Sequence, residues 1–174
     1  MRRVIRSRQV IELRPLSRDK ANELVTRWHS HHKAVRGHKF AIGAFVEGEP
    51  VGAVIVGRPV AQALDDGLTF EVVRLVTNRH PNAATRLLGA SWRAARAMGV
   101  RRMVSYTRID EAGTCYHAAG WVRVAKVDGR KWTHRRRAGT AGSAQYLPGI
   151  FEPATETVDR HRWEIRSGSG REPT

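Results

Sequence analysis

The chain has a single cysteine, Cys115, among its 174 residues. No disulfide can form within it, which suits a reducing compartment. No apolar run approaches the roughly 18–20 residues of a membrane-spanning helix, and no apolar stretch follows the basic residues Arg2, Arg3 and Arg6. Neither a membrane partner nor a secretory signal is expected, and the cytoplasm is the expected location. Acidic residues are scarce: 16 Asp and Glu stand against 31 Lys and Arg, a net charge of +15. A field of that sign draws polyanions, nucleic acids first. Lysine is scarce too, with 5 residues against 26 Arg. A GC-rich coding bias accounts for arginine over lysine, but not for bases over acids. The hydrophobic fraction of 41% and charged fraction of 27% are globular values and exclude wholesale disorder. The length fits one domain with a sizeable core.

The charge is uneven. Residues 1–39 hold 11 bases and 3 acids, and residues 123–137 hold 7 bases and 1 acid. Between them, residues 40–75 carry only Arg58 and Arg74 against five acids. That layout is expected of a core flanked by polyanion-binding edges, or of a solvated surface with a basic loop.

Alternation of apolar and polar residues predicts strands at Gln9–Arg14, Lys39–Val46, Val51–Val56, Leu68–Thr77, Arg101–Thr107 and Trp121–Val127. Pro15 is expected to end the first, and Glu47-Gly-Glu-Pro50 to join the second and third as a hairpin. Ala21, Leu24, Val25 and Trp28 fall on one face of a helix running from a Ser17 cap to about His32. A second helix is expected from an Asn82 cap to Gly99, and a short third over Glu111–Ala119. Asp128-Gly129 signals a hairpin turn with Arg130–Thr133 returning. Residues 134–158 read as a basic, Gly- and Pro-rich loop, and residues 159–174 as an edge strand at His161–Ile165 with a frayed tail. The order β–α–β–β–β–α–β–α–β gives an α+β chain, a mixed sheet with helices on its faces.

That order resembles the Gcn5-related N-acetyltransferases (GNAT). The specific match is Glu111-Ala-Gly-Thr-Cys-Tyr-His-Ala-Ala-Gly-Trp121, similar to that family's short last helix, with Tyr116 four residues before a Gly-aromatic pair. Glu71–Thr77 resembles its central strand and Asn82–Gly99 its cofactor helix. The likeness implies a mixed, mostly antiparallel sheet in one domain, with an acyltransferase core over residues 1–133. A narrower resemblance is to the phage-type Mom DNA-modification proteins, transferases of that fold which place a glycinamide-like group on DNA adenine. It rests on Trp28-His-Ser-His-His-Lys33, on Arg74 followed by Asn82-Ala83-Ala84, and on Ser105-Tyr106-Thr107.

One departure bears on the donor. GNAT enzymes normally carry a Gly-rich loop between the central strand and the cofactor helix, where backbone N–H groups wrap the coenzyme A pyrophosphate. This chain has Arg79-His-Pro-Asn-Ala-Ala-Thr-Arg86, without glycine. Either another geometry holds acyl-CoA, or the donor is an aminoacyl-tRNA. The resemblance assigns donor contacts to Leu75, Val76 and Thr77, where strand N–H groups meet the carbonyl. At the helix N-terminus it assigns Arg79, Asn82, Ala83, Ala84 and Arg86.

Acyl transfer to an amine needs a polarised carbonyl, a deprotonated amine and a protonated leaving group. By the resemblance Tyr116 is the general acid, or else a packing aromatic. Glu71 is a base, or else a partner of Arg74. His32 is a third catalytic candidate, with His31 beside the acceptor, since a histidine pKa near 6.5 suits a base. Arg74, Ser105 and Tyr106 complete the expected acceptor contacts. His29 and His32 lie three apart on the expected helix, but no Cys or carboxylate at ligand spacing joins them, so no metal is expected. Lys33, Arg36, Arg130, Lys131, Trp132, Arg135, Arg136 and Arg137 combine charge with an aromatic, as nucleic-acid contacts do. The leading expectation is a GNAT-fold acyltransferase moving a small acyl or glycyl-like group, with aminoacyl-tRNA as donor or a DNA base as acceptor. An acetyl-CoA enzyme acting on a small-molecule amine and a non-enzymatic nucleic-acid-binding module are the alternatives. Oligomeric state is left open.

Overall fold

The computed structural model describes residues 10–28, 34–129 and 158–168. Seven strands form one sheet: β1 (Glu12–Leu16), β2 (Phe40–Val46), β3 (Glu49–Gly57), β4 (Thr69–Thr77), β5 (Arg102–Arg108), β6 (Val122–Val127) and β7 (Arg160–Arg166). Their spatial order is β1-β2-β3-β4-β5-β7-β6. Only β4 and β5 run parallel. Three helices complete the described chain: α1 (Arg18–Trp28), α2 (Ala83–Ala97) and α3 (Thr114–Ala118). No helix among the described residues is long and apolar enough to cross a membrane.

The two faces of the sheet bury different stripes. On one face Leu87, Leu88 and Ala95 of α2 meet Val54, Val56, Phe70, Val72 and Met103, and the cluster extends to Tyr116, Trp121 and Trp163. On the other face Ala21 and Val25 of α1 pack on Ala53, Ile55 and Val76. The helix spacing of Ala21 and Val25 and the alternation of the strands produce this division directly.

Three sequence expectations need correction. Pro15 does not end the first strand; it pairs with Ile42 inside β1. β1 is the sheet's edge, where proline's missing N–H faces away from any ladder. Asn82 precedes α2 but makes no side-chain capping bond, because it sits in the left-handed region at φ 63°. The segment expected as an edge strand is interior: β7 pairs with β5 on one side and β6 on the other. The partner of β6 is therefore β7, while the expected return strand Arg130–Thr133 lies outside the described residues. Trp163 explains the interior placement. It is fully buried, and its indole N–H donates to Thr107 Oγ1 at 2.9 Å. Burying a side chain of that size against a satisfied polar tip is worth several times an ordinary edge pairing.

Trp163 also fixes the approach to α3. Gly113, in the left-handed region at φ 63°, lies so close that a Cβ there would come within 2.2 Å of the indole. At Gly120 φ is +80°, with nothing within 4 Å of such a Cβ. Gly120→Ala should cost about 1 kcal/mol for the backbone alone. Gly113→Ala adds overpacking and should cost about 2–5 kcal/mol. Urea denaturation of both variants checks the ordering, and equal costs would contradict it.

Candidate active site

β4 and β5 are paired from Thr69↔Arg102 to Val72↔Ser105 and no further, although β4 runs on to Thr77 and β5 to Arg108. At the same level β4 carries a bulge: Val56 pairs with Val72 and Ile55 with Arg74, leaving Val73 extra. Beyond it the strands diverge, so on the β5 side Val73–Thr77 meet no described strand. The opening thus has backbone N–H and C=O groups on its β4 wall, a preorganised polar edge of the kind that polarises a carbonyl. Leu75, Val76 and Thr77 lie on that wall.

The bulge also re-phases the side chains. Phe70, Val72 and Leu75 belong to the α2 face, and Val76 to the α1 face. Alternation therefore puts both Glu71 and Arg74 on the α1 face, three residues apart, which an unbroken strand would forbid.

At the apex of the opening, on the α2 face, Ser105 Oγ and the Tyr116 hydroxyl lie 2.7 Å apart, and either oxygen can donate. Ser105 also reaches the Val72 carbonyl at 3.4 Å. Tyr116 is stacked on Trp163 with centroids 5.3 Å apart and meets Trp121 edge-on at 5.5 Å. Burial pushes its hydroxyl well above the ordinary tyrosine value, with the Ser105 hydrogen bond acting against the shift. Tyr116 therefore stays protonated. Its proton is available to a third group only when Ser105 is the donor in their bond. Cys115 is also raised by burial, so it is no thiolate nucleophile.

Across the sheet, Glu71 is buried and accepts a 2.8 Å hydrogen bond from the Val60 N–H. Burial raises its pKa against the opposing pull of that bond and of the Arg74 and Arg160 charges. Arg74 Nη1 donates to the Val73 carbonyl at 2.8 Å. Its own pKa is lowered by burial and by the like charge of Arg160. Tyr106 is half-buried, raised by burial and by the nearby Glu71 charge, with a hydrogen bond to Arg162 opposing. Ser105 and Tyr106, expected together on the acceptor, point to opposite faces of β5; strand alternation separates them. The structure thus brings Glu71, Arg74 and Tyr106 together on one face, and Ser105 and Tyr116 on the other.

The sequence reading missed Arg160, Arg162 and Glu164. Arg162 sits opposite Tyr106, and Glu164, almost fully buried, pairs with Arg162 at 3.2 Å and Arg166 at 2.6 Å. The signal was present: Arg160, Arg162 and Glu164 alternate with His161, Trp163 and Ile165. Read as an edge strand, that alternation carried no site.

At the far end of the β4 wall the chain turns into α2 through two left-handed residues, Arg79 at φ 68° and Asn82 at φ 63°. Arg79 N–H is held by Thr77 Oγ1 at 3.3 Å and His80 N–H by Asn78 Oδ1 at 3.1 Å. The turn so adopts, without glycine, backbone angles that glycine adopts freely, at a cost of about 1–2 kcal/mol for a residue such as Arg79. Ala83 is buried and Ala84 partly so. Arg86 borders a shallow depression of about 350 Å³ with Thr85, Gly89 and Arg93. A helix N-terminus beside Arg79 and Arg86 fits the phosphates of a donor such as CoA or the end of a tRNA.

Other expected residues are placed only in part. Arg36 is exposed, and its carbonyl accepts from Arg18 at 3.0 Å. Asn22 of α1 exchanges two hydrogen bonds with the backbone of Val35. His31, His32, Lys33, Arg130, Lys131, Trp132 and Arg135–Arg137 lie outside the described residues. Among the described residues no group of three His, Cys, Asp or Glu could hold a metal.

The family model described as the Mom protein family matches residues 10–146. No curated protein matches the chain by sequence. Among solved structures, a Bacillus subtilis acetyltransferase in complex with CoA is 16% identical, with a TM-score of 0.59 over 91% of this chain and 99% of that one. The ribosomal-protein-S18-alanine N-acetyltransferase from Escherichia coli is 10% identical, with a TM-score of 0.61 over 95% and 99%. The IAA acetyltransferase from Bacillus cereus is 10% identical, with a TM-score of 0.62 over 90% and 99%. At these identities the likeness establishes the fold, which is that of the GNAT acetyltransferases.

Glu71 gives a stability test. Its folded pKa is raised, so its contribution is full below the ordinary glutamate value of 4.5 and lost as pH rises through the folded value. Glu71→Gln should remove that decline and leave the protein at least as stable as the parent at pH 8. Urea melts between pH 4.5 and 8 measure it. A variant that loses stability at pH 8 would mean that the ionised carboxylate is favoured by its surroundings.

Proposed function

Because the chain belongs to the Mom protein family, we propose that it transfers a small acyl or glycyl-like group to the exocyclic amine of a DNA base. The observation that supports this reading is the opening between β4 and β5, which has a buried carboxylate, Glu71, on one face and a buried phenol, Tyr116, at its apex on the other. A base and an acid on opposite sides of one opening suit an amine arriving from one side and a leaving group departing to the other.

In this reading the acceptor amine enters on the α1 face beside Glu71 and Tyr106. Glu71, its pKa raised by burial, takes the proton that the amine loses as the new C–N bond forms. Backbone N–H groups along Leu75–Thr77 hold the carbonyl oxygen of the transferred group. Tyr116 gives a proton to the departing atom of the donor, with Ser105 orienting the phenol. The N-terminus of α2, with Arg79 and Arg86, holds the donor's phosphates, whether the donor is acyl-CoA or an aminoacyl-tRNA. A bound donor supplies the activated carbonyl; the chain supplies position and protons.

The test is expression in cells that supply both donors, followed by digestion of plasmid DNA to nucleosides and mass spectrometry. A heavier adenine nucleoside is expected with the parent. Its yield should fall about 100-fold or more with Glu71→Gln and with Tyr116→Phe. Purified protein given acetyl-CoA or glycyl-tRNA separately then identifies the donor. Unmodified DNA, together with acetylation of small amines from acetyl-CoA, would overturn the reading in favour of a small-molecule acetyltransferase.

A further inference from the structure

The face carrying Glu71 continues across β5 and β7 beyond the reach of α1, which packs on β2, β3 and β4. There Tyr106 and Arg108 of β5 stand opposite Arg162 and Arg160 of β7. Arg160 is exposed and within electrostatic reach of both Glu71 and Arg74. Arg162 is fixed between Glu164 and the Tyr106 hydroxyl. The Arg108 guanidinium is held by Asp110 at 3.1 and 3.3 Å, so it is Tyr106 with the exposed Arg160 that matches a nucleotide, a π-face for the base and a guanidinium for its phosphate.

Geometry decides how the nucleotide is presented. The face belongs to a seven-stranded sheet, about 29 Å wide at ~4.8 Å per strand spacing. The major groove of B-DNA is about 12 Å wide. The sheet cannot enter it, and the Glu71 carboxylate lies in the sheet floor with only 6% of the residue exposed. The base must come to the carboxylate.

We propose that the β5–β7 face receives a nucleotide turned out of the double helix, with the base against Tyr106 beside Glu71 and a flanking phosphate on Arg160. This rests on the reading of DNA as acceptor and adds the presentation of the base and the residues that hold it. Arg162 is a positioning residue that fixes Tyr106.

The test is fluorescence anisotropy of the full chain with three labelled oligonucleotides: a matched duplex, the same duplex with a mismatch opposite one adenine, and the single strand. An unpaired base is cheaper to extrude, so the mismatched duplex and the single strand should bind about tenfold more tightly than the matched duplex. Arg160→Ala should weaken all three and reduce the slope of log affinity against log salt by about 0.7–0.9, with Arg160→Lys restoring it. Tyr106→Ala should erase the preference for the mismatch, and Tyr106→Phe should keep it. Thermal melts confirm that each variant is folded. Equal affinity for all three oligonucleotides, or parental behaviour in both Arg160→Ala and Tyr106→Ala, would overturn the inference while leaving DNA as the acceptor. Failure of the parent to bind any DNA would overturn the acceptor reading and the inference with it.

Discussion

One extra residue in β4 organises the site. With Val73 inserted opposite the Ile55–Val56 step, the side-chain alternation shifts by one. Glu71 and Arg74 come onto the same face, and the parallel pairing with β5 stops at Val72. A regular strand would have continued the ladder, closed the opening and sent Arg74 into the apolar cluster under α2. The bulge is affordable because β4 is braced on both sides of it, by β3 along nearly its full length and by β5 at its start.

Much of this was legible in the sequence. The β-branched run Leu68–Thr77, the amphipathic spacing around Ala21 and Val25, and the Tyr116-to-Gly120 interval are local patterns, and the folded chain preserves them. What escaped is non-local. A bulge has no signature when the two residues that form it, Val72 and Val73, are both ordinary strand formers, so Glu71 and Arg74 could be nominated separately but not placed together. Ser105 and Tyr106 were grouped because they adjoin in sequence, yet period-two geometry parts them. Arg160 and Arg162 were passed over because nothing short-range reveals that β7 inserts between β5 and β6. Pro15 and Asn82 were read by their commonest roles, and the sheet edge and a left-handed turn gave them others.

The two faces divide the electrostatic work. Under α2 the polar groups are neutral hydroxyls, Ser105 and Tyr116, shielded by two tryptophans, and low dielectric keeps the phenol protonated. On the α1 face the groups are ionic: two carboxylates lie among arginines, and burial, which favours the acid form of Glu71, outweighs the Val60 N–H and the cations, which favour its base form. A phenol and a carboxyl group, both raised in pKa by burial, sit on either side of one opening because a sheet one residue thick separates their surroundings, indoles and a hydroxyl on one side and arginines on the other.

The interior position of β7 has a consequence for how the protein comes into being. Its pairs with β5 join residues more than fifty positions apart, and Trp163, the ring on which Tyr116 rests, arrives with it. A nascent chain that has emerged only as far as β6 holds β1 to β5 but has no place to dock β6, and its phenol has no stacking partner. Long-range pairings of this kind form late and slowly. The part of the sheet from β1 to β5, with α1 and α2, can order first, and the stack under Tyr116 is completed only when β7 docks on β5 and gives β6 its partner.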